Sequence, residues 1–430
     1  LAPPSPQPGS AGTNVPLTTQ LEQLQQALDA LRAELADARQ EQELLAAKVA
    51  DLEQTKVESG SKYHLRLSGL LLVNVVSTRG SVDSLDLPTI AVPRGTTDSD
   101  GAFTAGLRQS MIGLELFGPT VRGARTAADI RFDFFAGFPA TVDGLSSGLV
   151  RMRTATLRAD WANTSIAAGQ DAVFFSPRSP ASLASSAYPA LASAGNLWTW
   201  TPQVYVEHRT ALTPTSKMVI QVGLLDPLSG EPPASEYTRL PTAGERSRLP
   251  ASAFRVGWQQ DTGDRTASVS GGGYYSRQDW GFNRNVHAWA ATGDWDIPLG
   301  PWFAWSGEIY RGRAISGLGG GAVASVLFDG PPSSADSAAL PVDSAGGWSE
   351  MKLQTSKRLE FNVAFGLEHS SLPEARTQPL QSGQEPSVSR NASGFVNAIY
   401  TLRSNLLFSV EYRRLWTTGF TDSQRTATHL

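Results

Sequence analysis

The residues of this chain whose types suit them to chemistry are its arginines. Only 6 of its 36 basic residues are Lys. Nearly every cation is therefore a planar guanidinium, whose forked donors grip carboxylates and phosphates in two-pronged fashion. The densest run is VRMRTATLRADW (150–161), with Arg151, Arg153 and Arg158. The bland source of such a skew is a GC-rich genome; the sharper one is a surface that meets anions. That chemistry is reversible anion binding, not bond breaking. Cysteine is absent, which excludes disulfides and thiolate metal sites. The five histidines, His64, His208, His287, His369 and His429, form no HExxH, and no GxSxG elbow occurs. No catalytic residue, metal site or cofactor is expected.

The elements that position these arginines are strands. In LEFNVAFGLEH (359–369), Leu359, Phe361, Val363, Phe365 and Leu367 alternate with Glu360, Asn362, Ala364, Gly366 and Glu368. Period two means a strand with one apolar and one wet face. Fifteen such stretches are expected near 63–76, 106–117, 125–136, 149–161, 164–170, 199–208, 216–225, 251–261, 265–276, 285–297, 301–313, 346–356, 359–368, 390–401 and 405–417. Most run longer than strands of ordinary globular sheets and match a tilted membrane strand.

Their connections alternate long and short along the chain. Short turns fall at 118–124, 162–163, 211–215, 262–264, 298–300, 357–358 and 402–404, and long loops between them. A soluble sandwich has no reason to sort its loops by parity, whereas an up-and-down outer-membrane barrel does. Tyr63, Phe117, Trp161, Trp200, Trp295, Trp302, Phe303, Tyr400 and Trp416 sit at strand ends, as interface girdles do. The expected fold is thus an all-β transmembrane antiparallel up-and-down barrel of about 16 strands over residues 63–430, its apolar faces turned to lipid. RTATHL (425–430) reads as the opening of a sixteenth strand, with the closing strand incomplete. No run of 18 apolar residues suggests a helical span.

Before the strands lies a different organisation. Residues 1–16 are a Pro-rich linker. Residues 17–58 carry apolar positions spaced alternately by four and three: Leu17, Leu21, Leu24, Leu28, Leu31, Leu35, Ala38, Gln42, Leu45, Val49 and Leu52. This is the heptad pattern of an α-helical coiled coil, with Leu21, Leu28, Leu35, Gln42 and Val49 at a. Pairings of Glu34 with Arg39 and of Lys48 with Glu53 suit parallel chains, so a homo-oligomer is expected. Leu1 in place of Met suggests a processed chain with a secretory leader removed. Formal net charge is −4, and residues 1–62 hold 5 Lys+Arg against 9 Asp+Glu, leaving the remainder neutral. That balance gives no support to nucleic-acid binding.

Parity turns Arg66, Asp129, Arg131, Asp133 and Arg255 toward the lumen, with Glu308, Glu350, Asn362, Glu411 and Arg413. In 150–161 parity breaks, and Arg151, Arg153 and Arg158 cannot all be placed. The third long loop, DAVFFSPRSPASLASSAYPALASAGNLW (171–198), is rich in small and apolar residues. It either folds into the lumen, where Arg178 would face the wall arginines, or packs outside on neighbouring loops. An arginine-lined constriction would favour small anions by Coulomb attraction. The constriction candidates are Arg66, Arg131, Asp133, Arg151, Arg153, Arg178 and Arg255.

YHLRLSGLLLVNVV, RQSMIGLELFGP, ADIRFDFFA, LVRMRTATLRADW and SIAAGQDAVFF, preceded by the heptads, resemble the DcaP-type porins in order and rhythm. The resemblance implies a homotrimer of sixteen-stranded barrels in the bacterial outer membrane, the coiled coil periplasmic, passing small anions such as carboxylates. By position it implies that Arg151, Arg153 and Arg178 match the family's basic constriction. The competing function is a structural anchor, its coiled coil tethering outer-membrane lipid to peptidoglycan.

Overall fold

The computed structural model describes residues 56–57, 64–138, 148–231, 239–263, 265–321, 324–371, 388–420 and 424–430. The chain divides into two units, Leu1–Val57 and Glu58–Leu430. The first contributes the short strand Lys56–Val57 (β1). The linker 1–16, the heptad residues Leu17 to Leu52 and Tyr63 lie outside the described residues.

The second unit is one antiparallel sheet whose neighbours follow chain order. His64–Leu70 (β2) and Asn74–Arg79 (β3) form one interrupted stave, and Gly101–Gly106 (β4) and Met111–Phe117 (β5) a second. Arg125–Asp133 (β6), Arg151–Asp160 (β7), Thr164–Ala172 (β8), Trp200–Thr213 (β9) and Ser216–Leu225 (β10) follow. The wall continues through Ala251–Asp261 (β11), Thr266–Asp279 (β12), Asn285–Leu299 (β13) and Phe303–Arg313 (β14). The next loop holds a small hairpin, Val326–Phe328 (β15) with Ala339–Pro341 (β16). Asp343–Ser356 (β17), Leu359–Ser371 (β18), Arg390–Arg403 (β19), Leu406–Thr418 (β20) and Arg425–His429 (β21) complete the wall. β21 pairs with both β20 and β3. Leu430 also exchanges two 2.9 Å backbone hydrogen bonds with Ser77, so the sheet closes on itself. The RTATHL segment makes that closure over Arg413–Thr417 of β20 and Ser77–Arg79 of β3, and its pairing does not reach Leu406–Tyr412 of β20.

The sheet is inside out relative to a soluble core. On β18, Phe361, Val363 (55% exposed) and Phe365 face outward, while Asn362, Ala364 and Glu368 are buried. On β11, Phe254, Val256 and Trp258 are exposed around buried Arg255. The same alternation leaves Leu157, Val204, Val206, Val222, Val269 and Ile309 outside. Nothing but lipid or another apolar partner favours that arrangement. No helix among the described residues is long and apolar enough to cross a membrane, so strands carry any crossing.

Short turns gather on one rim and long loops on the other, as the loop parity predicts. Phe117, Trp302, Phe303 and Tyr400 are exposed near the short-turn rim. Trp200 departs from the girdle. Its ring packs 5.5 Å from Trp198 and 6.3 Å from Tyr188, with the Arg151 and Arg153 guanidinium groups over it at 5.0 and 4.7 Å. Cation–π attraction and the loop aromatics claim this ring, and a strand-end position alone could not reveal that.

Candidate functional site

The broken parity of 150–161 has a structural cause. Register shifts between Arg131 and Phe132: Arg131 pairs with Thr154, and Phe132 with Met152. Arg153 is the extra residue of a β-bulge, and a bulge re-aims the side chains on either side of it. Met152 and Leu157 stay outside, while Arg151, Arg153 and Arg158 all make ion pairs with lumenal carboxylates. The Arg153 carbonyl accepts a 2.8 Å hydrogen bond from Gln170 Nε2 of β8. One inserted residue thus puts three arginines on one face.

The loop between β8 and β9 occupies the interior. Val173, Phe174, Phe175, Ala187, Leu191, Ala194, Asn196 and Leu197 are buried. Its base packs in an apolar cluster with Tyr274, Ala290, Tyr310 and Leu318. Further on, Ala181 N donates to Glu350 of β17 at 2.8 Å, and Ala181 O accepts from Asn397 of β19 at 2.9 Å. Ser182 Oγ donates to Glu411 of β20 at 2.5 Å.

The tip then reaches the opposite wall. Gln109 accepts from the Ser186 and Ala187 backbone N–H at 2.8 and 3.0 Å and donates to Ala184 O at 3.0 Å. Arg153 donates to Ser186 O at 2.7 Å, and Arg151 to Ala187 O at 3.1 Å. The return limb lies against β17 and β18 at glycines. Gly195 has φ +94°, and a Cβ there would stand 2.2 Å from Gly347 O; one on Gly366 would stand 2.1 Å from Ala194 O. Only glycine admits backbone this close. The inward alternative for this loop is the one realised.

The seven expected constriction residues separate into three places. Arg151, Arg153 and Asp133 come together: Arg151 grips Asp133 through Nε at 3.1 Å and Nη2 at 2.7 Å, and Arg153 Nε stands 3.7 Å away. Arg178 and Arg255 meet elsewhere. Both hold buried Asp294, Arg178 at 2.7 Å and Arg255 through a fork of 3.0 and 2.8 Å. Arg178 adds Asp296 at 3.0 Å. Arg178 therefore lies beside the wall arginine Arg255 with Asp294 between them, and apart from Arg151 and Arg153. A guanidinium folded into the interior comes to rest where its charge is neutralised.

Arg66 and Arg131 join neither group. They lie on the inner parity of β2 and β6, with side chains 48% and 56% exposed, Arg66 3.8 Å from Glu115 and Arg131 3.1 Å from Asp129. Nearer the short-turn rim, Arg158 is 2.7 Å from Asp160 and 3.8 Å from Glu207, and is also well exposed. The loop thus covers β11–β20 and crosses at its tip to Gln109 and to Arg151 and Arg153 of β7, leaving the stretch of β2–β9 around Arg66, Arg131 and Arg158 open.

Two residues central to this arrangement escaped the sequence reading. Asp294 carries the parity signal, since Asp294 and Asp296 alternate with Trp295 in GDWDIP. Gln109 carries none, because it lies in the interruption between β4 and β5 where period two stops.

No protein-family model matches the chain, and no curated protein matches it. Solved structures do. The outer membrane channel DcaP of Acinetobacter baumannii aligns with a TM-score of 0.61 at 15% sequence identity, covering 86% of this chain and 97% of that one. The anion-selective porin from Comamonas acidovorans aligns with a TM-score of 0.50 at 10% identity, covering 85% and 98%. Likeness at these identities is likeness of fold. The chain has the fold of a DcaP-type outer-membrane channel.

Proposed function

We propose that this protein is an outer-membrane porin for passive diffusion of small hydrophilic solutes. In this reading its wall has sixteen staves, β2/β3 and β4/β5 each counting as one. The observation that carries it is the inside-out sheet around a polar lumen, with one long loop seated inside and solvated arginines left along the other wall. A barrel of this size encloses an aqueous path unless loops fill it, and here the loop rests on β11–β20 and reaches Gln109 and β7 at its tip. Arg66, Arg131 and Arg158 remain facing water. Each has a carboxylate neighbour, but exposed pairs are loosely held, so these guanidinium groups are free to exchange partners with a passing anion. Small anions, carboxylates among them, are the preferred solutes in this account. The heptads of residues 17–58 assemble the chain as a homotrimer, with the stalk on the periplasmic side where the short turns lie.

The test is single-channel current across a planar bilayer, with reversal potential read under a KCl gradient. The expected result is stepwise conductance and an anion-selective reversal potential. No conductance from a folded full-length oligomer would sink the porin reading and leave a membrane anchor.

A further inference from the structure

Among the described residues of β5–β9, carboxylates and arginines are matched with one exception. Glu115 stands by Arg66, Asp129 by Arg131, Asp133 by Arg151, Asp160 by Arg158 and Glu207 by Arg209. Asp171 of β8 breaks the pattern. No ion pair holds its carboxylate, which accepts from the backbone of its own neighbour, Ala172 N, at 2.8 Å.

The side chains around Asp171 are short of partners as well. Gln203 is 7% exposed; its Nε2 donates to Ala172 O at 2.7 Å, and its Oε1 has no partner among the described residues. Thr201 lies opposite Asp171 in the β8–β9 ladder, and Thr154 stands just beyond the Ala155–Gln170 pair of β7 and β8. Both are buried, and neither hydroxyl has a partner. Buried polar atoms are nearly always hydrogen-bonded. Three that are not, gathered around one carboxylate without a cation, mark a place that a ligand completes.

The strands leave room there. On the inner face Gly169 lies between Thr156 and Gln203, and Ala167 between Arg158 and Tyr205. These two small residues floor a cavity of about 40 Å³ that Thr156, Arg158, Asp171, Gln203 and Tyr205 line. One water's share of the liquid is about 30 Å³, so the cavity admits a group of ammonium size, and anything larger extends into the lumen. Its borders differ in sign. Asp171 and Gln203 Oε1 accept hydrogen bonds, while the Arg158 side chain, 40% exposed, donates them. A bare cation meets the guanidinium and a bare carboxylate meets Asp171, each a like charge. A solute with both charges on adjacent groups satisfies both borders.

We infer that this niche of β7–β9 is a binding subsite for small zwitterions of the α-amino carboxylate class. The ammonium group donates to Asp171 and Gln203 Oε1, and the carboxylate accepts from Arg158. The inference rests on the proposed porin function and deepens it by naming a solute class that the wall recognises. Weak holding suits that role, since a solute must leave a pore as readily as it enters.

The test is saturation-transfer NMR on the folded full-length protein in detergent, with L-alanine, propionate and ethylammonium as probes; folding is checked by heat-modifiable mobility. L-Alanine carries both charges, and each of the others carries one. The expected result is a saturable L-alanine signal whose half-saturation rises roughly tenfold in Asp171→Asn, as the loss of one charge-assisted hydrogen bond implies. Gln203→Met, which lacks the amide oxygen, should act in the same direction. No saturable L-alanine signal, equal half-saturation in the parent and both variants, or ethylammonium or propionate held as tightly as L-alanine would overturn the inference. Conductance recorded on the same preparations keeps this separate from the channel reading. A conducting barrel that fails these tests loses the subsite and keeps the pore; L-alanine binding without conductance keeps the subsite and loses the pore.

Discussion

Two walls of one lumen use arginine for opposite ends. Over β11–β20, Arg178 and Arg255 are drawn onto Asp294, and Arg413 is buried against Glu411 at 2.7 Å. There the guanidinium groups hold a loop in place. Along β2–β9, Arg151 and Arg153 hold the loop tip, while Arg66, Arg131 and Arg158 stand in water beside carboxylates they hardly need. Residue type is the same on both walls; burial decides the role. A charge taken out of water must be paired, so whichever arginines the loop covers become struts, and whichever it leaves stay in water, where the proposed anion preference would act.

That contrast breaks most sharply at Asp294. Asp294→Ala strands two guanidinium groups, one of them deeply buried, and losing one partner of a buried pair costs on the order of 3–5 kcal/mol. The expected outcome is a lower denaturant midpoint for the folded barrel and larger, noisier conductance steps as the loop base loosens. Gln109→Ala acts at the tip. It leaves two loop N–H groups without an acceptor, at roughly 1–3 kcal/mol each, and proteolysis within 173–198 should speed up. Gly195→Val is smaller in side-chain terms but meets both positive φ and the backbone of β17. It should cost more than about 1 kcal/mol and enlarge conductance without moving ion preference. Arg131→Ala is the mildest for stability, within about 1 kcal/mol for an exposed pair. Its effect should appear in the reversal potential alone.

The same contrast separates what the sequence makes legible from what it hides. Phe361, Val363 and Phe365 announce an outward face by strict alternation, and Phe254, Val256 and Trp258 do likewise, so strand positions and their facing follow from period two. Loop parity gives the two rims. Where period two fails, reading fails with it. The bulge at Arg153 adds a residue and scrambles the facing of three arginines, and the interruption at Leu107–Ser110 hides Gln109. The seat of the loop is less visible still. It depends on Glu350, Asn397, Glu411 and Gly366, which come from four strands and meet only after the ring has closed. Arg178 was therefore legible as a constriction candidate only if its loop turned inward, and its partners were not legible. The heptads from which a stalk is expected lie outside the described residues.

The most direct test records single channels of Arg131→Glu and Arg178→Glu side by side under one KCl gradient. Arg131→Glu should shift the reversal potential toward cations and leave the conductance step near that of the parent. Arg178→Glu sets a third carboxylate against Asp294 and Asp296, so it should change the step size and its noise as the loop leaves its seat. The reverse pattern, with ion preference following Arg178 and step size following Arg131, would contradict the division of the lumen into a covered and an open wall.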